Sequence, residues 1–367
     1  MTAKTKPFFR ADHVGSLLRP QNLLDARAKM KAGKLSQAAL TEIEDDAIRD
    51  AVKLQEEIGL HAVTDGEFRR ENYWLDFITR MPGVDTSGKS FRKFEKSDYQ
   101  PRRPEVRGKI EHEECLMARD YETLAARTDR TIKITIPTPS RVHSHGGRAA
   151  IDQSVYPEMG EFWADLSAFY REEIADLEDL GCRFIQIDDP VFSYFIGEDV
   201  RESLRTIGEE PDRLIHTYVQ LLNDCTRARR ADTDIALHIC RGNARSAWIT
   251  SGGYDRIAET VFSSDFDAFF LEYDDERSGG FEPLKYVPKG RKVVLGLVTT
   301  KRGDMETKDE LKRRIDEATK YMALDDLALS PQCGFASVDL GNDIAYDAQR
   351  RKLELVVETA AEVWGDA

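Results

Sequence analysis

The chain has 367 residues, with 53 Lys and Arg against 67 Asp and Glu, for a formal net charge of −14. That acidic balance lacks the basic face a nucleic-acid partner requires, and no apolar run reaches the roughly 18 residues of a transmembrane helix. The length accommodates one large α/β barrel or two medium domains. Residues 1–10 carry neither an apolar core nor a small-residue cleavage site, so a cytoplasmic location is expected. The basic pairs and runs at 227–230 and 301–302 have acids nearby and read as solvated surface.

Short apolar, β-rich runs recur at 8–15, 61–65, 131–136, 183–188, 235–240, 268–273, 292–298 and 327–333. Several are continuously apolar, as parallel strands buried on both faces are. Between them, residues 37–58, 160–180, 214–230, 308–322 and 345–364 place apolar side chains at helical spacing. Gly59 and Gly181 stand where a helix ends and a strand follows, the position of a C′ glycine. Eight strand–helix alternations predict a (β/α)₈ TIM barrel formed by the whole chain, 1–367, with an insertion at about 81–130 after the second strand. Residues 81–105, rich in Pro, Gly, Lys and Arg and including the basic run 89–96, are expected to be irregular, either as a surface insertion or as an active-site cover.

Chemistry-bearing residues collect at the C-terminal ends of these strands, where barrel enzymes keep their active sites. His238 and Cys240 lie two apart on one strand and face the same side. Glu272 follows Phe269, Phe270 and Leu271, where a carboxylate must be metal-bound or paired, for instance to Arg241 or Lys301. Cys333 ends the last run beside Gly334. The bland reading is a core histidine, inert thiols and an ion pair. Taken together, His238, Cys240, Glu272 and Cys333 form a Cys₂HisGlu set suited to tetrahedral zinc. Two thiolates and a carboxylate over-neutralise Zn²⁺, which favours holding a nucleophilic thiolate over generating hydroxide.

The remaining three cysteines, Cys115, Cys182 and Cys225, read as ordinary thiols, and an odd, sparse set of five is not a disulfide framework. Asp188 closes an apolar strand, and Asp189 beside it also suits a helix N-cap. Asp65 and Glu67 flank a glycine and are candidates to hold an ammonium group, or exposed acids paired to Arg69 and Arg70. His13, Gly15 and Ser16 end the first run; backbone N–H groups there could take a carboxylate.

These segments, in this order from about residue 10 to residue 335, resemble the catalytic barrel of the cobalamin-independent methionine synthase family. The His-x-Cys pair, the strand-borne Glu, the late Cys-Gly and Gln186-Ile187-Asp188-Asp189-Pro190 carry the likeness, in the manner of a single-barrel branch. The resemblance implies zinc-dependent methyl transfer to the thiol of homocysteine, giving methionine, with a methyltetrahydrofolate as donor. A methylcorrinoid donor, or a related epoxide:coenzyme M transfer, is the alternative.

His238, Cys240, Glu272 and Cys333 match the zinc ligands; Gly15 and Ser16 the carboxylate site; Glu67 and Asp188 the ammonium-binding acids. The family's histidine after the seventh strand is absent, the chain reading Thr299-Thr300-Lys301, which leaves Lys301 and His13 as candidates for proton handling. Trp74 and Phe77 are candidates for stacking on the donor or for lid packing. Arg141, His143 and His145 could reach a glutamyl tail, although a solvated loop is the favoured reading. Partners are then small molecules, with no nucleic acid or membrane surface and room for a homo-oligomer. A catalytically silent zinc barrel and a metal-free decarboxylase are the rivals from other classes.

Overall fold

The computed structural model describes residues 8–89 and 102–365. The basic run read at 89–96 falls, beyond Lys89, outside them. Among the described residues there are nine strands: β1 (Ala62–Val63), β2 (Val84–Lys89), β3 (Arg102–Val106), β4 (Thr131–Pro137), β5 (Phe184–Asp188), β6 (Asp234–Ile239), β7 (Ala268–Glu272), β8 (Lys292–Val298) and β9 (Leu327–Pro331). All but β2 and β3 join one curled parallel sheet in the order β1-β4-β5-β6-β7-β8-β9. The fold is TIM-barrel-like, as the strand–helix alternation predicts.

Side-chain alternation divides the core in two. Ala62, Phe184, Ala236, Ala268, Phe270, Val294 and Ala328 point inward and pack with Val14 as one cluster. Their neighbours, such as Ile185, Leu237, Phe269, Leu295 and Leu329, point outward against the helices Gln37–Ile58, Met159–Leu180, Pro211–Thr226, Lys308–Ala318 and Tyr346–Trp364. Gly59 and Gly181 end two of these helices in the left-handed region, at φ 99° and 110°, as C′ glycines do.

The first predicted strand is not one. Residues 8–15 make a single parallel bridge, Ala11 to Leu329, through Asp12 N–H to Leu329 O (3.0 Å) and Leu329 N–H to Arg10 O (2.9 Å). Beyond it, side chains replace the ladder. Lys133 Nζ donates to the His13 carbonyl, Gln186 Nε2 to the Val14 carbonyl (2.6 Å) and Thr64 Oγ1 to the Gly15 carbonyl (2.7 Å). Leu17 N–H then bonds to Gly66 O (3.1 Å), so the segment links β9 to the end of β1 and occupies the eighth staves' place.

The stretch expected to be irregular also differs. β2 and β3 form an antiparallel ribbon with Val84 opposite Val106 and a bulge between Asp85 and Gly88. Pro104 is tolerated because it falls at this bulge, between the paired residues Arg103 and Glu105, and such Gly- and Pro-bearing composition hides the strand signal.

Gly296, on β8 between β7 and β9, shows how tightly the upper barrel is packed. A Cβ there would lie 2.7 Å from Gln332 Cα and 2.8 Å from Leu271 O, both backbone atoms that cannot turn aside. Gly296→Ala is expected to lower stability by about 1–3 kcal/mol, read as a reduced denaturant midpoint. An unchanged midpoint would show that the sheet relaxes at this point.

Candidate metal and amino-acid site

His238 projects inward from β6, Cys240 follows two residues on, and Cys333 lies just past β9. Their ligand atoms all lie within 4.8 Å of one another, and all three side chains are buried. His238 Nδ1 is 3.0 Å from Asp188 Oδ1, whereas Nε2 is buried without a hydrogen-bond partner. An imidazole anchored by a carboxylate through one nitrogen, with the other left to two thiols, is the arrangement of a metal-bound histidine. The donor set therefore fits a thiophilic ion. Burial opposes a charge on His238, but Asp188 and Cys333 outweigh it and push the imidazole up to about 10. Cys333 is drawn well below an ordinary thiol by its contact with Cys240, with burial opposing and His238 and Lys301 adding to the effect; Cys240 is raised in return.

Glu272 lies beside this group and outside it. Oε2 accepts from Arg241 N–H (3.0 Å), and Oε1 pairs with Arg277 (2.7 Å) and, at 4.0 Å, with Lys301. Burial would raise this carboxyl; Lys301, Arg241 and Arg277 overcome it and hold it down at about 2. The structure thus brings together three of the four predicted ligands and ties the fourth to cations. Arg277 was not among the partners read from the sequence. The Arg241 side chain is used elsewhere, on the carbonyls of Gly252, Glu272 and Ser278.

Next to the metal-type cluster is a cavity lined by Ser16, Glu67, Trp74, Asp188, His238, Cys240 and Cys333 among others. Glu67 reaches it from two successive left-handed residues, Gly66 (φ 67°) and Glu67 itself (φ 59°). A non-glycine residue there is strained unless its surroundings fix it. Asp65 Oδ1 accepts from Glu67 N–H (2.9 Å), and the Glu67 carbonyl takes Arg70 N–H (3.0 Å) and Arg19 Nη2 (3.0 Å).

Arg19 also holds the carbonyls of Arg70 and Ala336, and Arg27 those of Arg70 and Phe68. The buried Arg19 guanidinium thereby pins the loop after β1 to the loop after β9, and that of Arg27 braces the loop after β1. Glu67 Oε1 accepts from Thr135 Oγ1 (3.0 Å), and Oε2 is buried without a partner. Burial above all, then Asp188 and Asp65, push its carboxyl up to about 7 against the pull of Arg70.

Ser16 is buried in the same wall, its hydroxyl near Ala336 N–H (3.3 Å). Gly15, at φ 141°, lies behind it against Thr135 rather than on the cavity. Trp74 also lines the cavity, with the Arg141 guanidinium 4.6 Å from its ring centre and Arg141 Nη1 on Tyr194 Oη (2.9 Å).

Several expectations are corrected. His13 does not reach the mouth: its ring points outward, toward Gln55 and the Ala62 backbone, and burial holds it well below the ordinary imidazole range. The odd residues of that segment face the helices, so His13 and Val14 part company. Lys301 is no surface lysine: its ammonium is buried beside Glu272 with no hydrogen bond.

Arg141, His143 and His145 are buried, not a solvated loop; His143 Nδ1 meets Tyr218 Oη (2.8 Å) and Nε2 is 3.3 Å from Glu209. Asp65 and Glu67 are buried rather than exposed. Phe77 packs on Phe169 and Tyr170 of the helix layer, away from the cavity. Asp189 accepts from Phe192 N–H (2.9 Å), the capping role its bland reading gave it.

Asn243 was missed: it lines the cavity, donates to Gly334 O (2.9 Å) and leaves Oδ1 buried without a partner. Its place three residues after Cys240 was the only signal.

The comparisons with known proteins agree on one kinship. A family model described as "Cobalamin-independent synthase, Catalytic domain" matches residues 9–362. The Bacillus subtilis protein YxjH, itself uncharacterized, is 41% identical over 97% of this chain and 95% of its own length. A solved Listeria monocytogenes structure, assigned as a vitamin-B12-independent methionine synthase, is 35% identical with a TM-score of 0.80, covering 99% of this chain and all of that one. The Thermotoga maritima 5-methyltetrahydropteroyltriglutamate–homocysteine methyltransferase is 21% identical over 89% of this chain, which spans 41% of its length.

Proposed function

This chain belongs to the cobalamin-independent synthase catalytic-domain family, and we propose that it is a zinc-dependent methyltransferase that delivers a methyl group to the thiol of homocysteine, giving methionine. The observation that carries the reading is the partnerless His238 Nε2 facing Cys240 and Cys333, next to a cavity whose wall holds the buried carboxylate of Glu67. In this reading the whole chain, 1–367, is one barrel, with about 81–130 as an insertion and a cytoplasmic setting. Among the described residues no helix is long and apolar enough to cross a membrane.

His238, Cys240 and Cys333 would hold the metal, with Glu272 as candidate fourth ligand. Bound zinc would supply a Lewis acid that keeps an incoming thiol ionised and nucleophilic at neutral pH. The chain's own residues bind and orient. Glu67 and Asp188 take the substrate ammonium; Ser16, on the segment that carries Gly15, takes the carboxylate. Trp74 offers a flat wall to the methyl donor, for which a methyltetrahydrofolate is the first candidate. Lys301 keeps Glu272 ionised. His13 has no part at the reacting atoms.

The acids of the cavity favour an amino-acid thiol over a sulfonate such as coenzyme M, which they would repel. Metal analysis of protein purified without chelator is expected to give about one zinc per chain. A methyl-transfer assay pairing homocysteine with mono- and polyglutamyl methyltetrahydrofolate, methylcobalamin and S-methylmethionine is expected to form methionine with at least one. No zinc, or no methionine from any donor, would overturn the reading.

A further inference from the structure

Gln186 lies on β5 two residues before Asp188, so both side chains point into the barrel. Its amide nitrogen spends both hydrogens: one goes to the Val14 carbonyl at 2.6 Å, the other to Asp188 Oδ1 at 2.8 Å. The orientation is set by chemistry, since a reversed amide would aim its oxygen at two acceptors. Asp188 Oδ1 is also the atom that faces His238 Nδ1 at 3.0 Å. Val14 is two residues before Ser16 on the segment that replaces a strand. One amide therefore ties together the backbone that carries Ser16, the carboxylate of Asp188 and, through it, the imidazole of His238.

The amide oxygen of Gln186 is buried without a hydrogen-bond partner. A barrel-interior position that needed only filling would be served by an apolar side chain, as at Ala236 or Phe270. A buried acceptor left unmet calls for an explanation, and the two donors provide it.

We infer that Gln186 is a positioning residue that couples the amino-acid subsite to the metal ligand His238, by holding Asp188 Oδ1 against Nδ1 so that Nε2 faces Cys240 and Cys333. With Oδ1 so engaged, Oδ2 is the Asp188 oxygen left for a substrate ammonium. Occupancy of the amino-acid site and the orientation of the imidazole then share one carboxylate. The inference rests on the zinc reading above.

The test measures zinc affinity of the full chain by competition with a chromophoric chelator, so it needs no turnover. Gln186→Met, Asp188→Asn and the double variant are compared with the wild type. Each single variant is expected to bind zinc about tenfold more weakly, as loss of a partner behind a histidine ligand does. The double variant is expected to be no weaker than the weaker single, because both act through the same contact. Gln186→Met should also raise the homocysteine KM more than it lowers kcat. Should Gln186→Met not fold, Gln186→Leu, which removes both donors and adds no charge, is read in the same way. Wild-type zinc affinity in the Gln186 variant, or losses that multiply in the double, would overturn the inference alone. A wild-type chain that takes up no zinc would overturn the functional reading with it.

Discussion

Cys240→Ser and Cys333→Ser are each expected to yield chain with zinc near zero against about one for the wild type, and methyl transfer below detection. The reason is the donor set: a serine hydroxyl stays protonated at neutral pH and does not replace a thiolate. Loss of a partner behind a histidine ligand costs about 10–100-fold in metal affinity or activity, so loss of a ligand itself must cost more.

The other three cysteines serve as internal controls. Burial pushes Cys115 and Cys182 up to about 12 and Cys225 higher still, so these thiols stay protonated and are poor ligands and nucleophiles. Cys182 donates to the Phe184 carbonyl at 3.4 Å, a purely local contact. Cys182→Ser and Cys225→Ser are expected to retain zinc, with effects confined to stability. Metal content by atomic emission, alongside a circular-dichroism check of folding, decides the matter. Full zinc occupancy in Cys333→Ser would remove that residue from the site.

The contrast between these cysteines explains how much of the site could be read in advance. Spacing of two on a strand puts His238 and Cys240 on one face, and a Gly-flanked Cys at a strand end is visible as such. Those relations are local, and the barrel's register then brings them together. Asp188 was legible for the same reason.

What spacing does not carry is any bond between a side chain and distant backbone. Arg19 and Arg27 fix the Glu67 loop by gripping carbonyls some fifty residues away. Lys133, Gln186 and Thr64 take the carbonyls that a first strand would have used. The apolar run at 8–15 therefore reads as a strand, although its backbone is satisfied by side chains. Glu272 illustrates the converse. A buried carboxylate at a strand end needs a partner, and either a metal or a cation satisfies that rule. Arg277, five residues on and across a turn, meets it without any periodic signature.

The pH dependence of homocysteine binding follows from Glu67, and its sign can be worked out. Burial, reinforced by Asp188 and Asp65 and opposed by Arg70, places this carboxyl at about 7 instead of the usual carboxylate range. Above that pH Glu67 is charged and attracts an ammonium; below it the group is neutral and the attraction is lost. The kcat/KM for homocysteine, which reports the free enzyme, is therefore expected to fall as pH drops through about 7, by up to tenfold per unit. The kcat profile, which reports the occupied site, should break at lower pH because the bound ammonium stabilises the carboxylate.

Glu67→Gln should flatten the acidic limb and raise KM by about 10–100-fold, the worth of a charged hydrogen bond, while leaving zinc content unchanged. Asp188→Asn should differ in kind. Its Oδ1 also anchors His238, so zinc affinity and KM are expected to suffer together. If Glu67→Gln lost zinc, or if Asp188→Asn raised KM at wild-type zinc affinity, the division of labour between the two acids would not be the one their contacts describe.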